Sequence, residues 1–226
     1  MSNDQWIVPG EDIIKSPNYS DGINVKAIII HYDVAPRNTD SNIERLTKWL
    51  TTKSNKSCHF VVLRDGRVIQ AVSLDKMAWH AGESAYTFNG KKYTNLNRHS
   101  IGIETDNIGL LTRKGDDFYD SYGGLWKGSV MKVGNKYWEP YTVEQIDALD
   151  VLISKLQSWF HLDGSRVLGH NEISPGRKID PGDAFPWGAL SCTPGKMSAA
   201  LYDYMVPFRG VDSHGNKQNP DGIWRV

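Results

Sequence analysis

Apolar residues along the chain fall into short uninterrupted runs, helical repeats and long polar connections. Ala27-Ile28-Ile29-Ile30 is continuous and rich in β-branched residues, which predicts a strand buried on both faces. His31 stands directly at its end. Ile43, Leu46, Trp49 and Leu50 recur at helical spacing and predict a helix near 42–52, with Thr39, Asp40 and Ser41 as candidate N-caps. His59-Phe60-Val61-Val62-Leu63 and Val68-Ile69-Gln70-Ala71-Val72 flank Arg64-Asp65-Gly66-Arg67. That pattern predicts a β-hairpin over 58–72 whose Asp-Gly turn places both central residues at positive φ. Ser100-Ile101-Gly102-Ile103-Glu104-Thr105 predicts another buried strand.

Residues 107–141 are Gly-rich, charged and aromatic without a sustained period, which predicts a long loop with a short hairpin at 130–138. Thr142-Val143-Glu144-Gln145 has the form of a capping box, and Ile146, Leu149, Leu152, Ile153, Leu156 and Phe160 form one apolar face behind it. A helix over about 143–160 follows. Val167-Leu168 reads as a short strand with His170 close behind. Pro175, Pro181, Pro186, Gly176 and Gly182 make 171–188 a loop. A last helix is expected near 194–205, capped by Thr193 with Pro194 in its first turn. Residues 1–25 read as an irregular lead-in and 207–226 as a loose tail; no internal repeat is visible.

Composition narrows the function classes. The 226 residues suffice for one domain with a sizeable core, and 39% hydrophobic with 23% charged residues suits a soluble globular chain. Lys+Arg and Asp+Glu balance at 26 each, so nucleic acid is not an expected partner. No apolar run approaches the length of a membrane span. The start, Met1-Ser2-Asn3-Asp4-Gln5-Trp6, lacks a basic and then apolar leader, so the expectation is a chain made in the cytoplasm without a signal peptide. Cys58 and Cys192 exclude a disulfide framework or a Cys-rich zinc site and leave open a single bridge between them. Eight Trp and ten Tyr are available to a sugar cleft or to the core alike.

Two histidines, His31 and His170, each end an apolar strand, and Asp180 lies in the Pro-rich loop beyond. Two histidines and a carboxylate can hold zinc as three protein ligands and leave a fourth position for water, whose pKa zinc lowers to about 7. Taken singly, each histidine is more often a hydrogen-bonded core or surface residue, and no HExxH-type motif occurs. Glu104 is a carboxylate on a mostly buried strand, which calls either for a catalytic base or for a buried partner such as an arginine. Lys178, two residues before Asp180, reads as an oxyanion stabiliser or as a solvated lysine.

Six segments together carry a resemblance. They are Ile30-His31-Tyr32, Ser57-Cys58-His59-Phe60, Ala78-Trp79-His80-Ala81-Gly82, Ser100-Ile101-Gly102-Ile103-Glu104, Gly169-His170-Asn171-Glu172-Ile173, and Arg177-Lys178-Ile179-Asp180-Pro181-Gly182 with Phe185-Pro186-Trp187. In this order they resemble the type 2 zinc N-acetylmuramoyl-L-alanine amidases, a class that includes phage lysozyme-like amidases and animal peptidoglycan recognition proteins. Lys136-Tyr137-Trp138-Glu139-Pro140-Tyr141 looks most like the bacterial cell-wall and muropeptide-recycling branch. The resemblance implies one zinc ion on His31, His170 and Asp180, Glu104 as general base and Lys178 as oxyanion partner. It also implies substrate contacts from His59, Trp79, His80 and Arg177. The implied fold is a single α/β domain over 26–190, a mixed central sheet with helices on both faces and a zinc cleft at one edge. Residues 107–141 are an insertion in it, and 191–226 form a C-terminal helix and tail. Asp183 departs from the pattern, since relatives often carry Pro there.

The implied activity is hydrolysis of the amide between the lactyl group of N-acetylmuramic acid and L-alanine. Alternatives are a non-catalytic peptidoglycan-binding module and a zinc peptidase or amidase cutting another stem-peptide bond. The expected partners are peptidoglycan or muropeptides, reached in the periplasm, a target cell or the cytoplasm. The chain is expected to be a monomer, with an immunity protein as partner if it is a secreted effector.

Overall fold

The computed structural model describes residues 5–34, 42–191 and 223–225. The candidate caps at 39–41, the helix expected over 194–205, Cys192 and most of the tail lie outside the described residues. Five strands make the central sheet: β1 (Ala27–Tyr32), β2 (Phe60–Val62), β3 (Val68–Gln70), β4 (Ser100–Thr105) and β5 (Val167–Gly169). Their order is β5-β1-β4-β2-β3. The first three pairings in that order are parallel, and β3 closes the sheet antiparallel to β2, so the sheet is mixed.

Alternation along the strands sends side chains to two different environments. Ile28, Ile30, Ile101, Ile103, Phe60, Val62 and Val167 face one way and pack under helix α2 (Val143–Phe160) through its Ile146, Leu149, Leu152, Ile153 and Leu156. Thr142 caps α2 by accepting the Gln145 N–H at 3.1 Å. The other half of the expected capping box is absent, because the Gln145 amide donates to Val62 O at 2.8 Å and ties the helix to β2 instead. Helix α1 (Asn42–Thr51) sets Leu46 and Leu50 against Val61, Ile69 and Cys58 on the opposite face. Helices therefore cover both faces, and Cys58 is a buried free thiol.

The hairpin β2–β3 forms where expected, but Gly66 alone takes positive φ (+85°). Its N–H closes a turn on Leu63 O at 3.0 Å, and Asp65 stays in ordinary space with Oδ1 accepting the Arg67 N–H. Part of the lead-in runs along the exposed edge of β3, where Ile14 N–H reaches Gln70 O and Ser16 N–H reaches Ala71 O. That cover blunts an edge otherwise open to pairing.

Residues 107–141 are not a loop. Strands Leu110–Lys114, Asp117–Tyr119, Leu125–Trp126, Val130–Val133 and Lys136–Trp138 form a second sheet, joined by Ile223–Arg225 pairing parallel with Val130–Val133. The hairpin expected at 130–138 is one part of it. Two-residue connections at Gly115-Asp116 and Gly134-Asn135 make the tight turns, with both glycines at positive φ. Both faces of this sheet are partly buried, Met131 and Trp138 on Ala184 and Leu111 and Trp126 beside Ile108, so no clean alternation marks it in the sequence. Asp183, the residue that departs from the family pattern, pairs with Lys136 of this sheet at 2.9 Å. Among the described residues no helix is long and apolar enough to cross a membrane.

Candidate metal centre and cleft

Strand register decides which side chains meet. Gly169 lies opposite Ile30, and His31 lies opposite Glu104. His170 is one residue past Gly169, at the start of the short helix α3 (His170–Ile173). His170, His31 and Glu104 thus stand side by side where β5, β1 and β4 end. The carboxyl ends of parallel strands are where open α/β sheets place their ligands. Asp180 is brought in by the Pro-rich loop, whose return is pinned by Asn171 N–H on Asp180 O at 2.9 Å.

Three donor atoms converge. His31 Nδ1 lies 2.8 Å from His170 Nδ1 and 3.0 Å from Asp180 Oδ2, and His170 Nδ1 lies 2.9 Å from the same oxygen. The opposite ring nitrogens are engaged elsewhere: His170 Nε2 with Ala81 O at 3.0 Å, and His31 Nε2 with His80 Nδ1 at 2.9 Å. A carbonyl only accepts, and at 3.0 Å it lies nearer to Nε2 than the Arg177 Nη2 donor at 3.4 Å, so His170 carries its proton on Nε2 and presents a lone pair at Nδ1. Burial lowers the His31 pKa to about 4, with the nearby Asp180 opposing, so the ring is neutral at physiological pH. Burial also works against the Asp180 charge, but contact with the His170 and His31 rings outweighs it and holds the carboxyl below the usual carboxylate range. Two neutral imidazoles and a carboxylate this close turn three lone pairs toward one point, an arrangement that a cation can fill. Zinc bonds of about 2.0–2.1 Å would hold tetrahedral donors about 3.3 Å apart, close to what is present. The residues fit a divalent metal, and zinc suits the nitrogen and oxygen donor set.

Beside them, Glu104 is half-buried, and its buried Oε2 has no hydrogen-bond partner among the described residues. Burial pushes its pKa well above the carboxylate range, the Asp180 and Asp33 charges add to the rise, and Lys178 opposes it. Among the described residues no arginine pairs with it, so the buried-arginine explanation for a carboxylate at this position finds no support there. His31, His170, Asp180, Glu104 and Lys178 line one open cleft of about 670 Å³, a volume suited to a sizeable ligand.

The remaining site residues divide. Trp79, His80 and Arg177 also line the cleft. His80 is nonetheless buried behind His31, and Arg177 spends one nitrogen on Ala81 O, Glu83 O and Ser174 Oγ. Trp79 donates its indole N–H to Ser20 Oγ at 3.1 Å. His59 is not brought to the cleft. It is fully buried, its Nε2 on Lys76 O and its Nδ1 accepting the Gly102 N–H, and burial lowers its pKa to about 4. Both ring nitrogens hold backbone, so the substrate contact expected of His59 gives way to a role in fixing β4. Asn97, which clasps the backbone beside the site, carries no local signal that would single it out in the sequence.

An α/β domain that gathers His31, His170 and Asp180 beside Glu104 at its strand ends fits one known family. The family described as N-acetylmuramoyl-L-alanine amidase matches residues 21–183, and the chain belongs to it. It is 32% identical to the N-acetylmuramoyl-L-alanine amidase AmiD of Escherichia coli over 74% of this chain and 52% of that protein. Against the 1,6-anhydro-N-acetylmuramyl-L-alanine amidase AmpD of Enterobacter cloacae it is 33% identical over 58% of this chain and 53% of the relative. The chain thus spans about half the length of the curated relatives it matches. A solved complex of E. coli AmiD with anhydro-N-acetylmuramic acid-L-Ala-D-γ-Glu-L-Lys superposes with a TM-score of 0.54 at 32% identity, covering 74% of this chain and 56% of that one.

Proposed function

We propose that this chain is a zinc amidase that hydrolyses the amide between the lactyl carbonyl of N-acetylmuramic acid and the L-alanine of the stem peptide, in cell wall or in muropeptides. The observation that carries the reading is the meeting of His31, His170 and Asp180 beside Glu104, whose buried Oε2 has no partner among the described residues. Family membership and the substrate seen with AmiD support it.

In this reading His31 Nδ1, His170 Nδ1 and Asp180 Oδ2 hold one zinc ion. Zinc bound there would supply a Lewis acid and make water a nucleophile near neutral pH. Glu104 takes a proton from the attacking water and returns it to the leaving alanine nitrogen. Its surroundings raise its pKa, which makes the ionised carboxylate a stronger base and lets it carry the proton from one transfer to the next. Lys178, on the cleft wall, places an ammonium near the carbonyl oxygen as it gains charge. Trp79 and the guanidinium nitrogens that Arg177 does not spend on backbone offer an aromatic face and donors to sugar and peptide.

A non-catalytic binding module would have no use for a third donor or for Glu104, and both are in place. Digestion of purified sacculi tests the proposal. The expected products are peptides with a free N-terminal alanine and glycan with an intact lactyl carboxylate, formed without chelator, stopped by it and restored by zinc. Cleavage at another stem-peptide bond, or digestion indifferent to chelator, contradicts it.

A further inference from the structure

Each metal-binding histidine is useful only with its proton on Nε2, and that proton must be held in place. For His31 the structure fixes it through a chain of four groups. The Ser100 hydroxyl donates to Leu96 O at 2.6 Å, so toward His80 it can only accept. His80 Nε2 meets Ser100 Oγ at 3.3 Å and Ser100 O at 3.4 Å, two acceptors, and therefore carries the hydrogen. His80 Nδ1 is then a lone pair, and His31 Nε2, 2.9 Å away, must donate to it. The His31 lone pair is left on Nδ1, facing His170 and Asp180. For His170 the same task falls to Ala81 O.

His80 and Ala81 are adjacent, and one side chain holds both. Asn97 Oδ1 accepts the His80 N–H at 2.9 Å and the Ala81 N–H at 2.7 Å. Asn97 belongs to the short 3-10 turn Leu96–His99 that leads into β4. The seat for the His80 ring is cut in β4 itself, since a Cβ on Gly102 would lie 2.3 Å from His80 Cγ. Glycine inside an apolar strand often marks such a close approach.

We infer that Asn97 is a positioning residue for the metal centre: by clasping His80 and Ala81 it sets the tautomers of His31 and His170 together. It is not among the residues that line the cleft. This inference rests on the metal reading above and predicts more than that reading does. Outer partners of metal-binding histidines typically contribute 10- to 100-fold in affinity.

Zinc affinity by competition with a chelating indicator is the first readout, and nitrogen NMR of the histidine rings in metal-free protein is the second. Asn97→Ala is expected to bind zinc about 10- to 100-fold more weakly. Asn97→Asp keeps the accepting oxygen and is expected to recover most of the loss. The metal-free parent is expected to show His31 and His170 protonated on Nε2, and Asn97→Ala a mixture of tautomers. Unchanged affinity in Asn97→Ala, no recovery in Asn97→Asp, or a parent His31 protonated on Nδ1 overturns the inference. Should Asn97→Ala fail to fold, His80→Asn, whose Oδ1 stands in for the ring Nδ1, and His80→Phe, which removes it, decide. Affinity kept by the first and lost by the second supports the brace; equal affinities overturn it. A parent that takes up no zinc removes the metal reading itself, and the metal-free tautomers then decide the brace alone.

Discussion

Glu104→Gln is expected to bind zinc as the parent does and to cleave muropeptides roughly 100- to 10,000-fold more slowly, the span that general acid–base groups contribute. The substitution keeps the size of the side chain and removes its ability to take a proton. Glu104 stands opposite His31 in the parallel ladder but is not one of the three converging donors, so the metal should be undisturbed. The effect should be large, because among the described residues lining the cleft the other carboxylates and histidines are proposed ligands, apart from Asp33 and His80. Asp33 is buried and tied to Arg45, and His80 is committed to His31. Paired measurements of metal content and initial rate check this. Parent-like turnover in the Gln variant would show that Glu104 is not the base.

The second large effect is on stability. Arg64 lies at the turn of the β2–β3 hairpin and reaches two acids: Nε and Nη2 to the two oxygens of Glu139 at 2.8 Å each, and Nη1 to Asp106 at 2.7 Å. Glu139 follows the last strand of the 107–141 sheet and also accepts the Ile108 N–H at 2.6 Å. Its side chain is 2% exposed and that of Asp106 3%. This one guanidinium therefore clasps the second sheet to the central one and neutralises buried carboxylates. Arg64→Met leaves them without it and is expected to cost about 3–5 kcal/mol, as breaking buried ion pairs does. Urea unfolding of the metal-free protein reads it directly. Removing both partners, in Arg64→Met with Glu139→Gln, is expected to cost less than the single change, since the uncompensated charge at 139 is then gone. A loss under about 1 kcal/mol for the single variant would mean that the cluster is solvated and unimportant.

The parts of this account legible in the sequence are those written in local patterns. Ile28-Ile29-Ile30 could only be a buried strand, and the stripe from Ile146 to Leu156 only a helix face. The donor positions followed from strand ends and family motifs, and they meet as expected. What could not be read was set by tertiary contact. The sheet over 110–138 buries parts of both faces, so its strands lack the period that would have announced them. Gln145 completes a box in sequence yet spends its amide on Val62 O. His59 and His80 look equivalent as histidines near an active site, but backbone claims both nitrogens of one and His31 claims the other. Gly102, a glycine in the middle of an apolar strand, was the one visible trace of the His80 seat.

Metal content of the purified chain tests the whole most directly, read by elemental analysis in the parent and in Asp180→Ala. One zinc per parent chain and almost none in the variant is the expected result. A parent without zinc after incubation with it, or a variant that retains a full complement, would contradict the convergence on which the proposed chemistry stands.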